Sequence, residues 1–345
     1  MLIYIHVPFC ARRCSYCDFA ISVRKATPSR AFEDAVLAEW RLRQADPGWE
    51  EVPDVETIYF GGGTPSRLDP ASLAAIIAAI RESRQVSAGA EITLEANPDD
   101  VDRERAGAWA AAGVNRISLG VQSFHPATLQ WMHRTHEATQ IAPAVYQLRE
   151  AGFGNVSLDL IYGVPDTLGR DWDADLARAL ELGPEHLSLY SLTVEPGTPL
   201  GRWTARGEVV AAPDDRVAEE YLTAHRRLSE SGFGHYEVSN AARVGFRAVH
   251  NAGYWERRAY LGLGPSAHSG AGSERRWNVR DWESYRRVVT EGRDPVAGRE
   301  ELQPDQVRLE DTYLGLRTDR GVATDSIPAL ECGTWLREGW ATVSG

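Results

Sequence analysis

The chain of 345 residues lacks long hydrophobic runs, and it has only four cysteines and fewer basic than acidic residues. The longest apolar stretch, residues 73–80, falls well short of the roughly 18 residues that cross a membrane. The apolar start at residues 2–9 lacks the basic region and the cleavage site of a secretory signal. Lys and Arg number 37 against 49 Asp and Glu, a formal charge of −12, whereas proteins bind phosphate backbones through clustered basic side chains. These absences predict a cytoplasmic protein with no transmembrane segment and no nucleic-acid ligand, and they leave peripheral membrane association open.

Three of the four cysteines, Cys10, Cys14 and Cys17, are crowded near the start of the chain. Disulfide frameworks use dispersed cysteines in small secreted chains, so this crowding predicts a metal site. The C-x3-C-x2-C spacing lets three thiolates hold three irons of a [4Fe–4S] cluster, which leaves the fourth iron open to a ligand. The alternative is zinc with His6 as the fourth ligand, although His6 lies inside a predicted strand. Cys332 is expected to be an ordinary apolar residue.

Short β-branched runs alternate with longer amphipathic segments over the first two thirds of the chain. Strands are predicted at residues 2–7, 56–60, 91–95, 116–121, 156–162 and 186–192, and helices at residues 29–44, 70–84, 103–112, 138–150, 172–182 and 214–231. Each connection is long enough for a helix and too long for a hairpin, so the strands are expected to be parallel. The pattern predicts an α/β fold, namely a partial (β/α)6 barrel of the TIM-like kind, with an open doubly wound sheet as the less favoured alternative.

The strand–helix alternation stops near residue 233. We therefore predict a barrel over residues 1–232, a segment packing on it over residues 233–300, and a smaller C-terminal α/β appendage over residues 301–345. The appendage should begin with a helix at residues 303–317.

A glycine run, Gly61 to Gly63, followed by Thr64, comes directly after the second predicted strand. Glycines there let the backbone approach a ligand closely, and the absence of a following Gly-Lys-Ser/Thr excludes a nucleotide P-loop. Glu95, Gln122 and Asp159 stand at or near other strand ends, and Arg134 lies in a polar segment. A tight turn, helix caps and a solvated loop are the alternative interpretations of these residues.

The cysteine spacing, with Tyr16 before the third cysteine, resembles the radical S-adenosylmethionine (SAM) enzymes. The resemblance implies a [4Fe–4S] cluster on Cys10, Cys14 and Cys17 whose open iron binds SAM. It also implies that reduction by one electron cleaves SAM to a 5′-deoxyadenosyl radical. Such barrels carry their sites at the carboxyl ends of the strands, where Cys10 falls.

Further motifs resemble the coproporphyrinogen oxidase-like branch of that superfamily: HVPFC at residues 6–10, GGGTP at 61–65, GVQSF at 120–124 and DLIYGVP at 159–165. The resemblance implies SAM contacts at Tyr4, Tyr16, Gly62, Gly63, Thr64, Glu95, Gln122, Arg134 and Asp159.

Within this branch, HNAGYW at residues 250–255 resembles the signature of the HemW-type heme chaperones. Phe19 occupies the position where the decarboxylating coproporphyrinogen III dehydrogenase carries a further cysteine. The resemblance implies a heme chaperone that delivers heme to hemoproteins such as respiratory cytochromes, is reduced by a donor such as flavodoxin or ferredoxin, and ends in a winged-helix-like domain that is incomplete here.

Heme is expected near His250, Tyr254 and Trp255, in a segment that passes near the open barrel mouth, because imidazole can ligate iron and aromatic rings can pack on a porphyrin. The alternative for this segment is packing against the barrel with His250 hydrogen-bonded. The alternative function is oxygen-independent coproporphyrinogen III dehydrogenase.

Overall fold

The computed structural model describes residues 1–44, 46 and 54–343. Within these residues the strands are β1 (Leu2–Val7), β2 (Phe9–Cys10), β3 (Ser22–Val23), β4 (Val55–Gly62), β5 (Val86–Ala96), β6 (Arg116–Gln122), β7 (Val156–Tyr162), β8 (His186–Ser191), β9 (Gly234–His235), β10 (Asn240–Ala242), β11 (Tyr260–Leu263), β12 (His268–Ala271), β13 (Glu274–Asn278) and β14 (Val296–Glu301). The α-helices are α1 (Ser29–Arg43), α2 (Pro70–Ser83), α3 (Arg103–Ala112), α4 (Pro126–Trp131), α5 (Ala138–Glu150), α6 (Trp172–Glu181), α7 (Pro199–Ala205), α8 (Asp214–Glu230), α9 (Val249–Trp255), α10 (Trp282–Thr290), α11 (Pro304–Leu316) and α12 (Ala329–Arg337). Short 3-10 helices cover Pro65–Arg67, Pro98–Asp100, Asp166–Leu168 and Thr324–Ser326.

One sheet contains twelve of these strands, in the order β14-β13-β12-β11-β1-β4-β5-β6-β7-β8-β10-β9. From β1 to β8 along this order the neighbours are parallel. These six strands overlap the six predicted ranges, and a predicted helix follows each of them. The predicted α/β fold is therefore confirmed.

Helices cover the sheet with apolar side chains. Phe32 of α1, Leu73 of α2, Trp109 of α3, Ile141 of α5 and Leu176 of α6 all belong to one buried core cluster. The central strands are buried at nearly every position, as continuous apolar strand sequences predict when both faces are covered.

Aspartates fix where three of these helices begin. Asp69, Asp102 and Asp171 each accept a hydrogen bond from a backbone N–H in the first turn of the following helix. The loops between the carboxyl ends of these strands and the caps are thereby held in place, and the first of them carries Gly63 and Thr64.

Residues beyond 233 extend both edges of the same sheet, which the sequence did not predict. β11 is parallel to β1, and β12, β13 and β14 follow it as antiparallel neighbours. At the opposite edge, β10 and β9 are antiparallel additions beside β8. The division into three segments stays a prediction, but the middle segment shares the sheet of the first.

The C-terminal part contains α11, whose bounds agree with the predicted helix at residues 303–317, and α12. A winged-helix-like end stays a prediction, and residues 344–345 of that segment lie outside the described residues. In residues 1–44, 46 and 54–343, no helix has the length and apolar character needed to cross a membrane.

Candidate functional site

A cavity of about 460 Å³ opens at the carboxyl ends of the parallel strands. Parallel strands direct the loops at this end toward one point, which is where α/β barrels place their sites. The cavity brings together eleven of the predicted site residues: Cys10, Cys14, Tyr16, Cys17, Gly62, Gly63, Thr64, Glu95, Gln122, Arg134 and Asp159. The sequence motifs, although dispersed over 150 residues, therefore meet in space.

Two glycines let the loop after β4 approach the cysteine loop. Gly62 has φ +112°, in the left-handed region that favours glycine, and a Cβ there would lie 2.6 Å from the His6 ring. A Cβ on Gly63 would lie 2.9 Å from the Val7 carbonyl oxygen and 3.0 Å from the Cys10 Sγ. The glycine run therefore allows direct contact with the cysteine loop, and the tight-turn interpretation alone does not account for it.

The cysteine loop is anchored to the barrel by hydrogen bonds. The Thr64 hydroxyl donates to Cys10 Sγ at 3.4 Å, and the Arg134 guanidinium donates to Cys14 Sγ at 3.4 Å. Burial raises the pKa of the Cys10 thiol to about 11, and burial also raises the pKa of Cys17. Both thiols therefore hold protons at neutral pH, and iron binding must displace those protons.

The donor set fits an iron–sulfur cluster better than a zinc ion. Within the described ranges, no three Cys, His, Asp or Glu side chains are arranged as ligands of a single metal ion. His6, the proposed fourth zinc ligand, has both ring nitrogens engaged, Nε2 with the Ala20 carbonyl at 2.9 Å and Nδ1 with the Tyr4 hydroxyl at 3.2 Å. Three thiols on one loop, facing one cavity, are the ligands that a [4Fe–4S] cluster uses.

Glu95 connects β5 to the glycine loop. Its carboxylate accepts the Tyr59 hydroxyl at 2.8 Å and the Gly62 backbone N–H at 3.0 Å. Burial raises the pKa of Glu95 to about 7, against the hydrogen bond from Tyr59, which lowers it. Near neutral pH this carboxyl can therefore exist in either protonation state at the cavity wall.

Arg134 and Gln122 lie together at the end of β6. Arg134 Nη2 donates to Asn97 Oδ1 at 2.5 Å and to the Gly120 carbonyl at 3.0 Å. Gln122 has φ +66°, a conformation that non-glycine residues rarely adopt, and the pairing of β6 with β7 shifts register there. The irregularity directs the end of β6 into the cavity.

Asp159 completes the wall on β7. Its carboxylate accepts the Ser118 hydroxyl at 3.0 Å and the Ser157 hydroxyl at 3.3 Å. Burial raises the pKa of Asp159 above its ordinary value. Tyr4, by contrast, does not line the cavity, and its ring lies about 6.0 Å from the Tyr59 ring.

The expectation that residues 250–255 pass near the open barrel mouth is wrong. These residues belong to α9, where a Cβ on Gly253 would meet the side chain of Leu2, the first residue of β1. Glu91 accepts the backbone N–H groups of Val249 and His250 at 2.9 and 3.1 Å. This helix therefore packs at the amino ends of the strands, opposite the carboxyl ends that form the mouth.

His250 is only 1% exposed. Its Nδ1 contacts the Thr57 hydroxyl at 2.6 Å, its Nε2 contacts the Tyr254 hydroxyl at 2.9 Å, and its ring stacks on Tyr59 at 4.9 Å. Trp255 packs under the guanidinium of Arg317, whose Cζ lies 5.0 Å from the ring. The three residues expected to bind heme do not line the cavity, and both nitrogens of His250 already have partners.

The sequence did not reveal three further residues that hold the predicted site residues in position. Tyr59, Asn97 and Ser118 line the cavity and hydrogen-bond to Glu95, Arg134 and Asp159. They stand inside strands or in a turn without a motif of their own. The one available signal was the polar character of Tyr59 and Ser118 within otherwise apolar strands.

Comparison with known proteins agrees with this geometry. The family model described as the radical SAM superfamily matches residues 4–179. The heme chaperone HemW of Mycobacterium tuberculosis is 38% identical over 333 residues, 95% of this chain and 84% of that protein. HemW of Bacillus subtilis is 34% identical over 321 residues, 93% of this chain and 84% of that protein.

Among solved structures, coproporphyrinogen III oxidase (HemN) from Escherichia coli, a radical SAM enzyme, has a TM-score of 0.77. It is 24% identical, and the match covers 92% of this chain and 76% of that one. This likeness supports the fold and does not extend to the activity.

Proposed function

Because the chain belongs to the radical SAM superfamily and, within it, to the family of the heme chaperone HemW, we propose that it binds a [4Fe–4S] cluster and SAM and delivers heme to recipient hemoproteins such as respiratory cytochromes. The convergence of the three cysteines, the glycine loop and Glu95 in one cavity is the observation that carries the cluster and SAM part of this proposal, and the heme part rests on the similarity to HemW.

The residues present suit these groups. Cys10, Cys14 and Cys17 would hold the cluster, which with SAM supplies the capacity for one-electron cleavage of the sulfonium. SAM would contact the remaining cavity residues: Tyr16, Gly62, Gly63, Thr64, Glu95, Gln122, Arg134 and Asp159. Tyr4 would act from behind, through its packing against Tyr59.

Individual side chains have separable tasks. Thr64 and Arg134 orient two of the thiols, and the positive charge of Arg134 lowers the pKa of Cys10 against the larger effect of burial. Glu95 holds the glycine loop open through the Gly62 N–H and presents a carboxyl to a polar ligand.

Anaerobic reconstitution tests the cluster. The protein should take up about four irons per chain, and Cys10→Ala, Cys14→Ala and Cys17→Ala should each abolish the iron–sulfur absorbance. Cys332→Ala, on α12, should leave it unchanged. A single tightly bound zinc in protein isolated anaerobically would contradict the assignment.

Oxygen-independent coproporphyrinogen III dehydrogenase is the second candidate, and it rests on the shared fold alone. The exposed Phe19 at the rim of the cavity argues against it, because the resemblance expects a further cysteine there. Incubation with coproporphyrinogen, SAM and a reductant distinguishes the two candidates, since protoporphyrinogen formation would establish the dehydrogenase.

We also propose that an acidic electron carrier of the flavodoxin or ferredoxin kind reduces the protein at the cysteine loop. Residues 10–30 contain five basic side chains and one acidic one, in a chain of net charge −12. Arg12, Arg13 and Lys25 are exposed and form no ion pair in the described part of the chain. Their charge is complementary to an acidic partner.

We propose the cytoplasm as the compartment, because a reducing environment keeps the crowded cysteines out of disulfides and so available to bind a cluster. Heme ligation by His250, with Tyr254 and Trp255 beside it, stays a prediction. It would require His250 to give up its hydrogen bond with Thr57 or with Tyr254.

A further inference from the structure

The burial of His250 raises the question of which imidazole is free to bind heme iron. All nine histidines lie in the described ranges, and only one of them, His133, lines the cavity. Both ring nitrogens of His6, His186 and His250 are hydrogen-bonded. His136 is 3% exposed, and its Nε2 contacts the Val121 carbonyl.

The remaining histidines do not line the cavity. His125 contacts the Thr128 hydroxyl through Nδ1. His225 and His235 pack against each other with ring centroids 4.2 Å apart, and His268 stacks on Trp277 at 5.9 Å. By contrast, the structure shows no hydrogen bond to the imidazole of His133 among the described residues, so this ring reaches the cavity with its nitrogens available.

The backbone fixes His133 at the cavity. It follows α4 with φ +58°, in the left-handed region, and its N–H donates to the Gln130 carbonyl at 3.0 Å. The next residue, Arg134, is tied to Cys14 and to Asn97. The position of this imidazole relative to the cysteine loop is therefore determined by the same anchor that holds the loop.

Tryptophans restrict the ring from behind. The Trp203 indole of α7 meets the imidazole edge-on with centroids 5.5 Å apart, and Trp131 packs on Trp203 at 6.2 Å. Neither indole lines the cavity, so they limit how far the imidazole can rotate without occupying the space in front of it.

The rest of the rim suits a flat apolar ligand with acidic groups. Phe19 and Tyr190 line the cavity and are 59% and 43% exposed, and Leu192 also lines it. Arg12 also lines the cavity and is exposed. An axial imidazole, aromatic surface and a guanidinium are the groups that recognise iron, porphyrin ring and propionates.

We propose that His133 is the axial ligand of heme bound across the mouth of the cavity, with Phe19 and Leu192 against the porphyrin face and Arg12 near the propionates. This inference rests on the proposed function, and it assigns heme to the mouth while the cluster and SAM occupy the interior. Heme then lies on the same side of the barrel as the cysteine loop.

Hemin titration of the cluster-reconstituted protein tests this assignment. His133→Asn is the suitable variant, because asparagine tolerates a positive φ and cannot replace imidazole as a strong iron ligand. It should weaken hemin binding at least tenfold and shift the Soret band, and added imidazole should restore the spectrum. Phe19→Ala should weaken binding several-fold without shifting the Soret band.

His125→Asn is the matched control, since this half-buried histidine lies eight positions away and does not line the cavity; it should bind hemin as the parent does. Retained iron–sulfur absorbance in each variant shows that the fold is intact. If His133→Asn binds hemin with the parent affinity and Soret position, the assignment is wrong. If only His250→Ala loses hemin binding, the axial ligand is His250 and not His133. If the parent protein binds no hemin, the proposed function itself is wrong.

Discussion

One carbon added at Gly63 should disturb the glycine loop and the cysteine loop together. A Cβ there would press on the Val7 carbonyl and on the Cys10 sulfur, which cannot both move away. Gly63→Ala should therefore lower the free energy of unfolding by about 1–3 kcal/mol and reduce iron uptake on reconstitution. Urea unfolding and iron analysis measure the two effects.

Gly89→Ala is the control for this substitution. Gly89 is exposed in β5 and has no atom within 4 Å of the added carbon. The variant should retain both stability and iron. Full iron uptake by Gly63→Ala would mean that the glycine loop does not constrain the cysteine loop.

Glu95 should make stability depend on pH. Its pKa is raised to about 7 from an ordinary value of 4.5, so the folded state binds the proton more tightly than the unfolded chain between these two values. The stabilisation of the folded state by protonated Glu95 is fully present below pH 4.5 and is lost as the pH rises through 7. For a pKa difference of this size, the free energy of unfolding changes by about 3 kcal/mol.

Between pH 5 and pH 8 the free energy of unfolding of the parent should fall by about 2–3 kcal/mol more than that of Glu95→Gln, because glutamine cannot ionise. Urea unfolding across this range is the measurement, and Glu104→Gln, an exposed position on α3, is the control. Parallel pH profiles of parent and Glu95→Gln would show that the carboxyl keeps an ordinary pKa.

The site residues that belong to a recognisable sequence motif could be predicted from the sequence. The cysteines, Gly62, Gly63 and Glu95 were found from the sequence because their spacing matches a family pattern, and the structure brings them to one cavity. His250 was misplaced because a histidine among aromatic residues suits both a heme site and a packed helix. Only the three-dimensional contacts, with Thr57 and Tyr59, distinguish these alternatives.

At the scale of elements, α9 depends on a carboxylate from the sheet. Glu91 accepts the N–H groups of Val249 and His250, and negative charge at a helix start is stabilising. Glu91→Ala should lower the free energy of unfolding by about 1–2 kcal/mol and speed amide hydrogen exchange in α9. The exchange in α6 should be unchanged.

Glu230→Ala, at the exposed end of α8, is the corresponding control and should leave exchange in α9 as it is. Unchanged protection of the α9 amides in Glu91→Ala would contradict this account of how the helix is held.

The long elements were predictable from periodicity, and the short ones were not. The six central strands and the helices after them have apolar patterns long enough to identify each element, although these patterns left a barrel and an open doubly wound sheet as alternatives. β11 has only four residues and contains Gly262, so its sequence lacks the pattern that would distinguish a strand from a loop. A β-branched side chain at position 262 would collide with the His268 backbone. The close approach of the two strands therefore requires glycine there, although glycine has a low strand propensity.

Across the whole molecule, charge is unevenly distributed. The net charge is −12, yet residues 10–30 are basic. Reduction by an acidic flavodoxin should therefore slow several-fold as salt rises from about 50 to about 300 mM. Arg12→Glu combined with Lys25→Glu should slow it at low salt, and Arg226→Glu on α8 should not. If the reduction rate does not depend on salt, the electron donor does not bind at the basic segment of residues 10–30.

Hemin titration of the cluster-reconstituted protein tests the central claim, heme binding by a radical SAM barrel, most directly. The account predicts saturation near one heme per chain, with a Soret band distinct from that of free hemin and with the iron–sulfur absorbance retained. A titration that stays linear, with the spectrum of free hemin throughout, would contradict the heme chaperone function.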